Sequence, residues 1–380
     1  MLKNRSVYNS EDLPIFRDSV RKFYEAEAVP HRDRWSDQGK VDRGFWNKLG
    51  EAGMLCPQLP EEYGGLNVDY RYCCVINEEQ AYTRAGGAAI AVHSDIVAPY
   101  ILEYGDEALK QKWLPKMVSG DAVGAIAMTE PGTGSDLQGI KTTAVKDGDH
   151  FIINGSKTFI SNGQNCDFVL TVCKTTEEGG AQGSSIILIE ADREGFKRGR
   201  NLEKIGMHSS DTSELFFDDV KVPVTNLIGY ENAGFMYLMQ QLPQERLSIA
   251  MIAMASSQRA FDITLAYTKE RHAFGKPIVK FQNTRFELAE MKTELEVGWA
   301  FVDQCLEKHI KGELDAPTAA MSKLWTTELQ SRLVDRCVQL HGGYGFMKEY
   351  EIAQHYTDSR VQRIYGGTSE IMKELIGRTL

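Results

Sequence analysis

Several signals are missing from this 380-residue chain. No run of apolar residues approaches the ~20 that a membrane-spanning helix needs, and the opening MLKNRSVYNSEDLPIF has no apolar signal core. No block of Lys and Arg is dense enough to offset a formal net charge of -10, whereas a nucleic-acid binder carries a basic face. Seven cysteines are an odd number, and they are scattered. Cys73 and Cys74 are adjacent and no C-x-x-C pair occurs, which fits reduced thiols better than a disulfide framework. G-x-G-x-x-G never occurs, which removes the dinucleotide-binding fingerprint. Repeats and low-complexity segments are also absent. The expectation is a soluble intracellular protein of two or three packed units.

What is present changes texture twice. Residues 1–121 read as helical. EDLPIFRDSVRKFYEAEAV places Ile15, Phe16, Val20, Phe23 and Tyr24 on one side. YCCVINEEQAYTRAGGAAIAVHSDIVAPYIL is apolar on nearly all sides and reads as one buried helix. Residues 122–230 are short β-branched and aromatic runs punctuated by Asp147-Gly148, Asn154-Gly155 and Asn162-Gly163, which are hairpin signals. They read as a compact antiparallel β domain. Residues 231–380 return to helical periodicity. Leu288, Met291, Leu295, Trp299, Val302, Leu306 and Ile310 form one stripe, and Met321, Trp325, Leu329, Leu333, Cys337 and Leu340 another. Two such stripes imply a bundle.

Five stretches could carry chemistry. AMTEPGTGSDLQG (127–139) is rich in hydroxyls and glycines, so it can aim main-chain N–H groups at an anion or polar ring. Its plainer reading is a connector. In KTFISNG (157–163), Phe159 and Ser161 alternate on a strand and share a face, either to receive a flat heterocycle or to pack in a core. ERHAFGKPIVKFQ (270–282) is a helix–helix corner with Arg271 as a phosphate fork or as a solvated side chain. QLHGGYGF (339–346) ends a helix with a glycine pair. His341 there has no second ligand at metal spacing and suits a helix C-terminus, so no metal is expected. LPQERLSIA (242–250) sets Glu245 and Arg246 in apolar surroundings. A carboxylate so placed has a raised pKa and suits proton abstraction from carbon. The commoner alternative is a surface ion pair at a helix end. RIYGGTSEI (363–371) adds twin glycines, which are entropically costly and mark a strained turn or a close approach to the main chain.

The order and spacing of AMTEPGTGSD, KTFISNG, RHAFGKPIVKFQ, QLHGGYGF and RIYGGTSEI resemble the acyl-CoA dehydrogenase family across essentially the whole chain. LPQERL with IYGGTSEIMKELIGR looks closest to its long-chain branch. The resemblance implies an N-terminal α-helical domain (1–121), a middle antiparallel β-barrel (122–230) and a C-terminal four-helix bundle (231–380). It implies FAD and a homo-oligomer, usually a tetramer. The implied reaction is α,β-dehydrogenation of an acyl-CoA to a trans-2-enoyl-CoA, with electrons passed to an electron-transfer flavoprotein. The implied compartment is the cytoplasm of a bacterium, or the mitochondrial matrix if a presequence has been removed.

The resemblance also assigns residues. Met128 and Thr129 would lie against the flavin. Ser135 would sit near the cofactor's phosphates and the CoA chain. Phe159 would cover a ring face where many relatives have Trp, and Ser161 would bond its edge. Arg271, Phe274 and Gln282 would reach a neighbouring subunit's FAD, as would Gln339, Gly342 and Gly343. Thr368 and Glu370 would bind the cofactor, and Gly366 and Gly367 would line the substrate site. Many relatives carry their catalytic Glu where this chain has Gly366. In the long-chain and isovaleryl branches the base comes from another helix, in the place of Glu245. Glu245 is therefore the expected base, with Arg246 orienting that helix end or the substrate. The main-chain N–H of Gly366 would donate to the thioester carbonyl. One departure is Gln354, where the family usually has a basic residue at an interface or in helix packing. Medium to long straight acyl chains lead. Branched acyl-CoAs, such as isovaleryl or a terpenoid-derived thioester, are the alternative. A non-catalytic assembly or binding subunit on the same scaffold is the remote one.

Overall fold

The structure is a computed structural model that describes residues 5–176 and 183–380. Six α-helices come first: α1 (Asp12–Glu27), α2 (Arg32–Gln38), α3 (Arg43–Glu51), α4 (Tyr70–Thr83), α5 (Ala98–Tyr104) and α6 (Glu107–Ser119). Asp69 and Asp106 cap α4 and α6 by accepting backbone N–H groups of the first turn, the usual start signal. The buried stripe of α1 is Leu13, Arg17, Val20 and Tyr24, while Ile15 is exposed. This differs from the apolar side read from sequence because a buried arginine takes a stripe position. Arg17 pairs with Glu78 and Glu79 on α4 at 2.7 and 2.8 Å. The single helix expected from Tyr72 onward is broken. Arg84 adopts left-handed φ and ends α4, and a π-helical segment at Ala91–Val97 runs into α5.

The middle region holds β1 (Gly124–Ala127), β2 (Thr143–Asp147), β3 (His150–Ser161), β4 (Phe168–Lys174), β5 (Ser184–Glu190), β6 (Phe196–Asn201), β7 (Thr212–Pro223) and β8 (Leu227–Ile228). They form one sheet in the order β6-β7-β3-β2-β4-β5-β8, with β1 on β4. Two expectations fail here. The sheet is mixed, because β1 and β2 both run parallel to β4. Among the described residues it is also open, so the expected closed barrel is not seen. β6 is an edge carrying Lys197, Arg198 and Arg200, and β8 has only two residues; short, charged edges resist further pairing. A hairpin joins β2 and β3 as expected, with Asp147 closing β2 and Gly148-Asp149 forming the turn. Asn154-Gly155 is instead a register shift inside β3. A Cβ on Gly155 would come within 2.4 Å of Thr142 Oγ1, so the strand needs glycine there.

The chain then returns to helices: α7 (Gly234–Glu270), a small β9 (His272–Ala273) and β10 (Lys276–Pro277) ribbon, α8 (Gln282–Ile310), α9 (Ala316–His341), α10 (Glu351–Ser359) and α11 (Ser369–Gly377). α7, α8 and α9 pack on one another, and α10 and α11 pack on α9. α4 also lies along α7, so one apolar core joins the first and last helical regions. The segment Ala91–Val97 touches both β1 and α7. All three regions therefore meet beside α7. Among the described residues, no helix is long and apolar enough to cross a membrane.

Candidate active site

Glu245 lies inside α7 and is only 5% exposed. Its Oε1 has no hydrogen-bond partner. Burial raises its pKa from 4.5 to about 7, against the opposing pull of Arg246. Arg246 is buried too, its Nε is unpartnered, and burial lowers its pKa. These are not a solvated ion pair at a helix end. The Tyr100 hydroxyl is also buried without a partner, and the charge of Glu245 adds to burial in raising its pKa. A buried polar atom without a partner costs free energy, and Glu245, Arg246 and Tyr100 each carry one here. The α7 turn itself is fastened. Gln244 Nε2 donates to the Asp95 carbonyl at 2.5 Å.

The twin-glycine turn meets α7 one helical turn further on. Gly366 and Gly367 have φ of +63° and +100°, the left-handed region that favours glycine. A Cβ on Gly366 would fall 2.3 Å from Ile249 Cδ1. Ile249 is four residues after Glu245, hence on the same helix face. Thr368 then caps α11 by accepting the Ile371 N–H, and Glu370 is exposed in its first turn. Two further tethers come from α9. Lys323 Nζ donates to the Gly367 carbonyl at 2.7 Å. Glu328 accepts Arg363 Nε at 2.8 Å and Ser369 Oγ at 2.7 Å.

A second group sits on the sheet. Thr158 N–H donates to the Thr129 carbonyl at 2.9 Å, and Lys157 Nζ donates to the Met128 carbonyl at 2.9 Å. Lys157 also pairs with Glu130 at 2.9 Å, both side chains being buried. Burial opposes the Glu130 charge, but Lys157 and the Thr142 N–H outweigh it and hold the pKa below the ordinary value. Phe159 is 66% exposed with φ +61°. The ladder slips between Lys157 and Ile160, so the strict alternation expected for Phe159 and Ser161 does not hold. A bulge in strained conformation turns an aromatic ring outward instead. Ser161 is half-buried and Ser135 is exposed. A Cβ on Gly132 or Gly134 would meet open space.

The third group is elsewhere. Arg271, Gln339, Gly342 and Gly343 line a cleft of about 540 Å³ with Tyr267 and Tyr344. The Arg271 guanidinium lies 5.7 Å from the centre of the Tyr344 ring. Phe274 is 95% exposed, and Gln282 opens α8 on the surface. At 1.5 Å per residue, the end of α7 at Glu270 is about 38 Å from Glu245. A single chain therefore does not bring this cleft to the Glu245 site. His341, set aside as a metal ligand, bonds the Cys337 carbonyl through Nδ1 and stacks on Tyr267.

Sequence reasoning missed Lys157, Glu130, Tyr100, Ile249, Lys323 and Glu328. Lysines read as surface by default. For Lys323 a signal existed, because it lies among Ala319, Ala320, Ser322, Thr326 and Thr327, a buried small-residue face of α9.

Three sequence profiles tile the chain: "Acyl-CoA dehydrogenase, N-terminal domain" over residues 10–121, the middle domain over 125–220 and the C-terminal domain over 232–380. The chain belongs to the acyl-CoA dehydrogenase family. It is 49% identical to a long-chain specific acyl-CoA dehydrogenase, mitochondrial, of Sus scrofa, over 99% of this chain and 88% of that protein. The fold is similar to a crystal structure of an acyl-CoA dehydrogenase from Geobacillus kaustophilus, with TM-score 0.96, 50% identity and 98% of each chain covered. It is also similar to a glutaryl-CoA dehydrogenase from Mycobacterium smegmatis solved in complex with FADH2, with TM-score 0.92 and 26% identity over 100% of this chain and 96% of that one. As a member of this family the chain is an oxidoreductase of the acyl-CoA dehydrogenase type.

Proposed function

We propose that this enzyme dehydrogenates medium to long straight-chain acyl-CoAs to trans-2-enoyl-CoAs, with Glu245 as the base. One observation carries the reading: a buried carboxylate with an unpartnered oxygen, poised at about 7 by burial. A base for a carbon acid works best with a pKa near the working pH. Gly366 supports the same step. Its main-chain N–H is the donor assigned to the thioester carbonyl, where it stabilises the enolate that forms as the α proton leaves. One such donor contributes ~3–4 kcal/mol. Arg246 and Gly367 complete the substrate side, and Ser135 lies towards the CoA chain.

The residues present fit FAD. Phe159 offers an exposed apolar ring beside the tethered main chain of Met128 and Thr129. Cβ-free space at Gly342 and Gly343 suits close approach of a polar ligand to the backbone. FAD, when bound, supplies the acceptor for the β hydride. Met128, Thr129, Phe159, Ser161, Thr368 and Glu370 would hold it from one chain. Arg271, Phe274, Gln282, Gln339, Gly342 and Gly343 would serve from a second copy, which the ~38 Å span of α7 favours. The reading includes a homotetramer, domain boundaries at 121/122 and 230/231, and an electron-transfer flavoprotein as acceptor.

The test is anaerobic mixing of the flavin-loaded enzyme with straight and branched acyl-CoAs while the oxidised-flavin absorbance is followed. Bleaching should be fastest with a medium or long straight chain, and lost in a flavin-retaining Glu245→Gln variant. Bleaching fastest with isovaleryl-CoA would move the substrate to the branched class. Full bleaching by the variant would remove Glu245 from the role of base.

A further inference from the structure

Lys323 is a buried cation that the reaction described above does not use. It is 0% exposed, which is rare for lysine unless it is ionically paired. Its ammonium donates to a neutral acceptor, the Gly367 carbonyl at 2.7 Å. Burial, and then the positive field of Arg246, lowers its pKa to about 8. The charged groups around it are Arg246 on α7, Glu328 on its own helix, and Arg363 and Glu370 on either side of the glycine turn. Glu328 is engaged with Arg363 and Ser369. A lysine kept in this setting is poorly explained as a source of stability, since burying a cation without a close carboxylate is costly.

The turn it touches has the opposite problem. Two consecutive glycines have the widest conformational freedom of any residue pair, and Gly366 and Gly367 carry no side chains to pack. Ile249 limits Gly366 from one side, and the tip of Met372 limits Gly367, with a Cβ there falling 2.5 Å from Met372 Cε. Glu328 holds the residues flanking the pair, Arg363 and Ser369. Lys323 alone among these polar tethers holds the main chain of the pair itself.

We propose that Lys323 is a positioning residue for the dehydrogenation: from α9 it clamps the Gly367 carbonyl and so fixes the turn that carries the Gly366 N–H, next to Ile249 and one helical turn from Glu245. The inference rests on the proposed roles of Glu245 and Gly366. The clamp does not touch substrate. It replaces, with one directed hydrogen bond, the packing that side chains would otherwise give the turn.

The experiment uses the flavin-loaded enzyme with Lys323→Met, which keeps the stem but removes the donor, and Lys323→Arg, which keeps a donor of similar reach. Amide hydrogen exchange of peptides covering residues 364–371 should speed up at least tenfold in Lys323→Met, with α8 and the sheet unchanged. With a 3-thia-acyl-CoA, which loses its α proton but cannot deliver a β hydride, the long-wavelength charge-transfer band should be weakened at equal ligand saturation. The kcat for the best substrate should fall at least tenfold while KM moves less than threefold, and Lys323→Arg should recover most of the loss. Unchanged exchange in a folded, yellow Lys323→Met overturns the clamp, whatever the activity. Faster exchange with unchanged band and kcat overturns its catalytic relevance. If Lys323→Met does not fold, Lys323→Arg decides: wild-type exchange and rate support the clamp, and normal exchange with a tenfold lower kcat overturns it. Full activity of Glu245→Gln, run in parallel, would instead undo the assignment of the base while leaving the exchange result interpretable.

Discussion

Replacing Glu245 with Gln should move activity and stability in opposite directions, and pH separates the two. Burial raises the Glu245 pKa from 4.5 to about 7, so the folded protein prefers the protonated carboxyl. A raised carboxylate contributes its stability fully below the unfolded value, and that contribution is lost as pH rises through the folded value. The gap between 4.5 and about 7 corresponds to about 3 kcal/mol, a penalty fully felt by pH 9. Gln has the same shape and no charge to bury. Glu245→Gln should therefore match the wild type near pH 4 and be more stable by about 3 kcal/mol at pH 9. For a chain of this size that is about 4 °C in thermal midpoint. Asp95, which burial also raises to about 7, titrates in both proteins and cancels in the comparison. Catalysis runs the other way. A base must be ionised, so wild-type kcat/KM should fall about tenfold per pH unit below about 7 and level off above it, while the variant loses ~10²–10⁴-fold of rate. The assays are calorimetric melting from pH 5 to 9 and stopped-flow flavin reduction over the same range. A melting difference that stays constant across that range would refute the argument, because burial would then not be penalising the charge.

Two further outcomes follow from the tethers around the site. Gly366→Ala combines left-handed strain of about 1 kcal/mol with overpacking of about 1–3 kcal/mol against Ile249; adding Ile249→Ala should recover the second part, read as coupling in a double-mutant cycle of thermal midpoints. Lys157→Met strands the Glu130 carboxylate in a buried site, at a cost of about 3–5 kcal/mol; flavin content should fall with it, and Glu130→Gln added to the same chain should restore most of the stability, both measured on the purified protein by absorbance and melting.

The helix–sheet–helix order was legible because it depends on local periodicity and turn chemistry, and the motif loops fell where the elements change. What depends on distant partners was not. Arg17 occupies an apolar stripe position because Glu78 and Glu79 face it from α4. The break after Thr83 was masked by the apolar content on either side of Gly86 and Gly87. Asn154-Gly155 carries a hairpin signature, yet the strand continues through it with a register shift, and Thr142 on the neighbouring segment leaves no room for a Cβ at 155. Openness of the sheet is a property of its two edges, β6 and β8, and no single strand encodes it. The burial of Glu245 agrees with its apolar neighbours in sequence, whereas its expected role as base came from the family resemblance. Lys157 and Lys323 were not legible, because a lysine's burial depends on a carbonyl brought from another element.

The proposed place of the base on α7 goes with close packing around Gly366. A side chain at position 366 would require the tip of Ile249 to shift, since its Cβ would fall 2.3 Å from Ile249 Cδ1. Glycine is favoured at 366 first by its positive φ, and Ile249 filling the space from α7 adds to the preference. One turn before Ile249 on the same face of α7 stands Glu245, the carboxylate proposed as the base. Glycine at 366 alters what holds the turn. A residue with a side chain at 366 would anchor itself by packing, but two glycines must be held by their carbonyls and flanks, as Lys323 and Glu328 hold them from α9. The proposed base, spacer and clamp form one set, and placing Glu at position 366 with Ile249 kept should strain the turn through its left-handed φ and the contact with Ile249, read as a lower thermal midpoint.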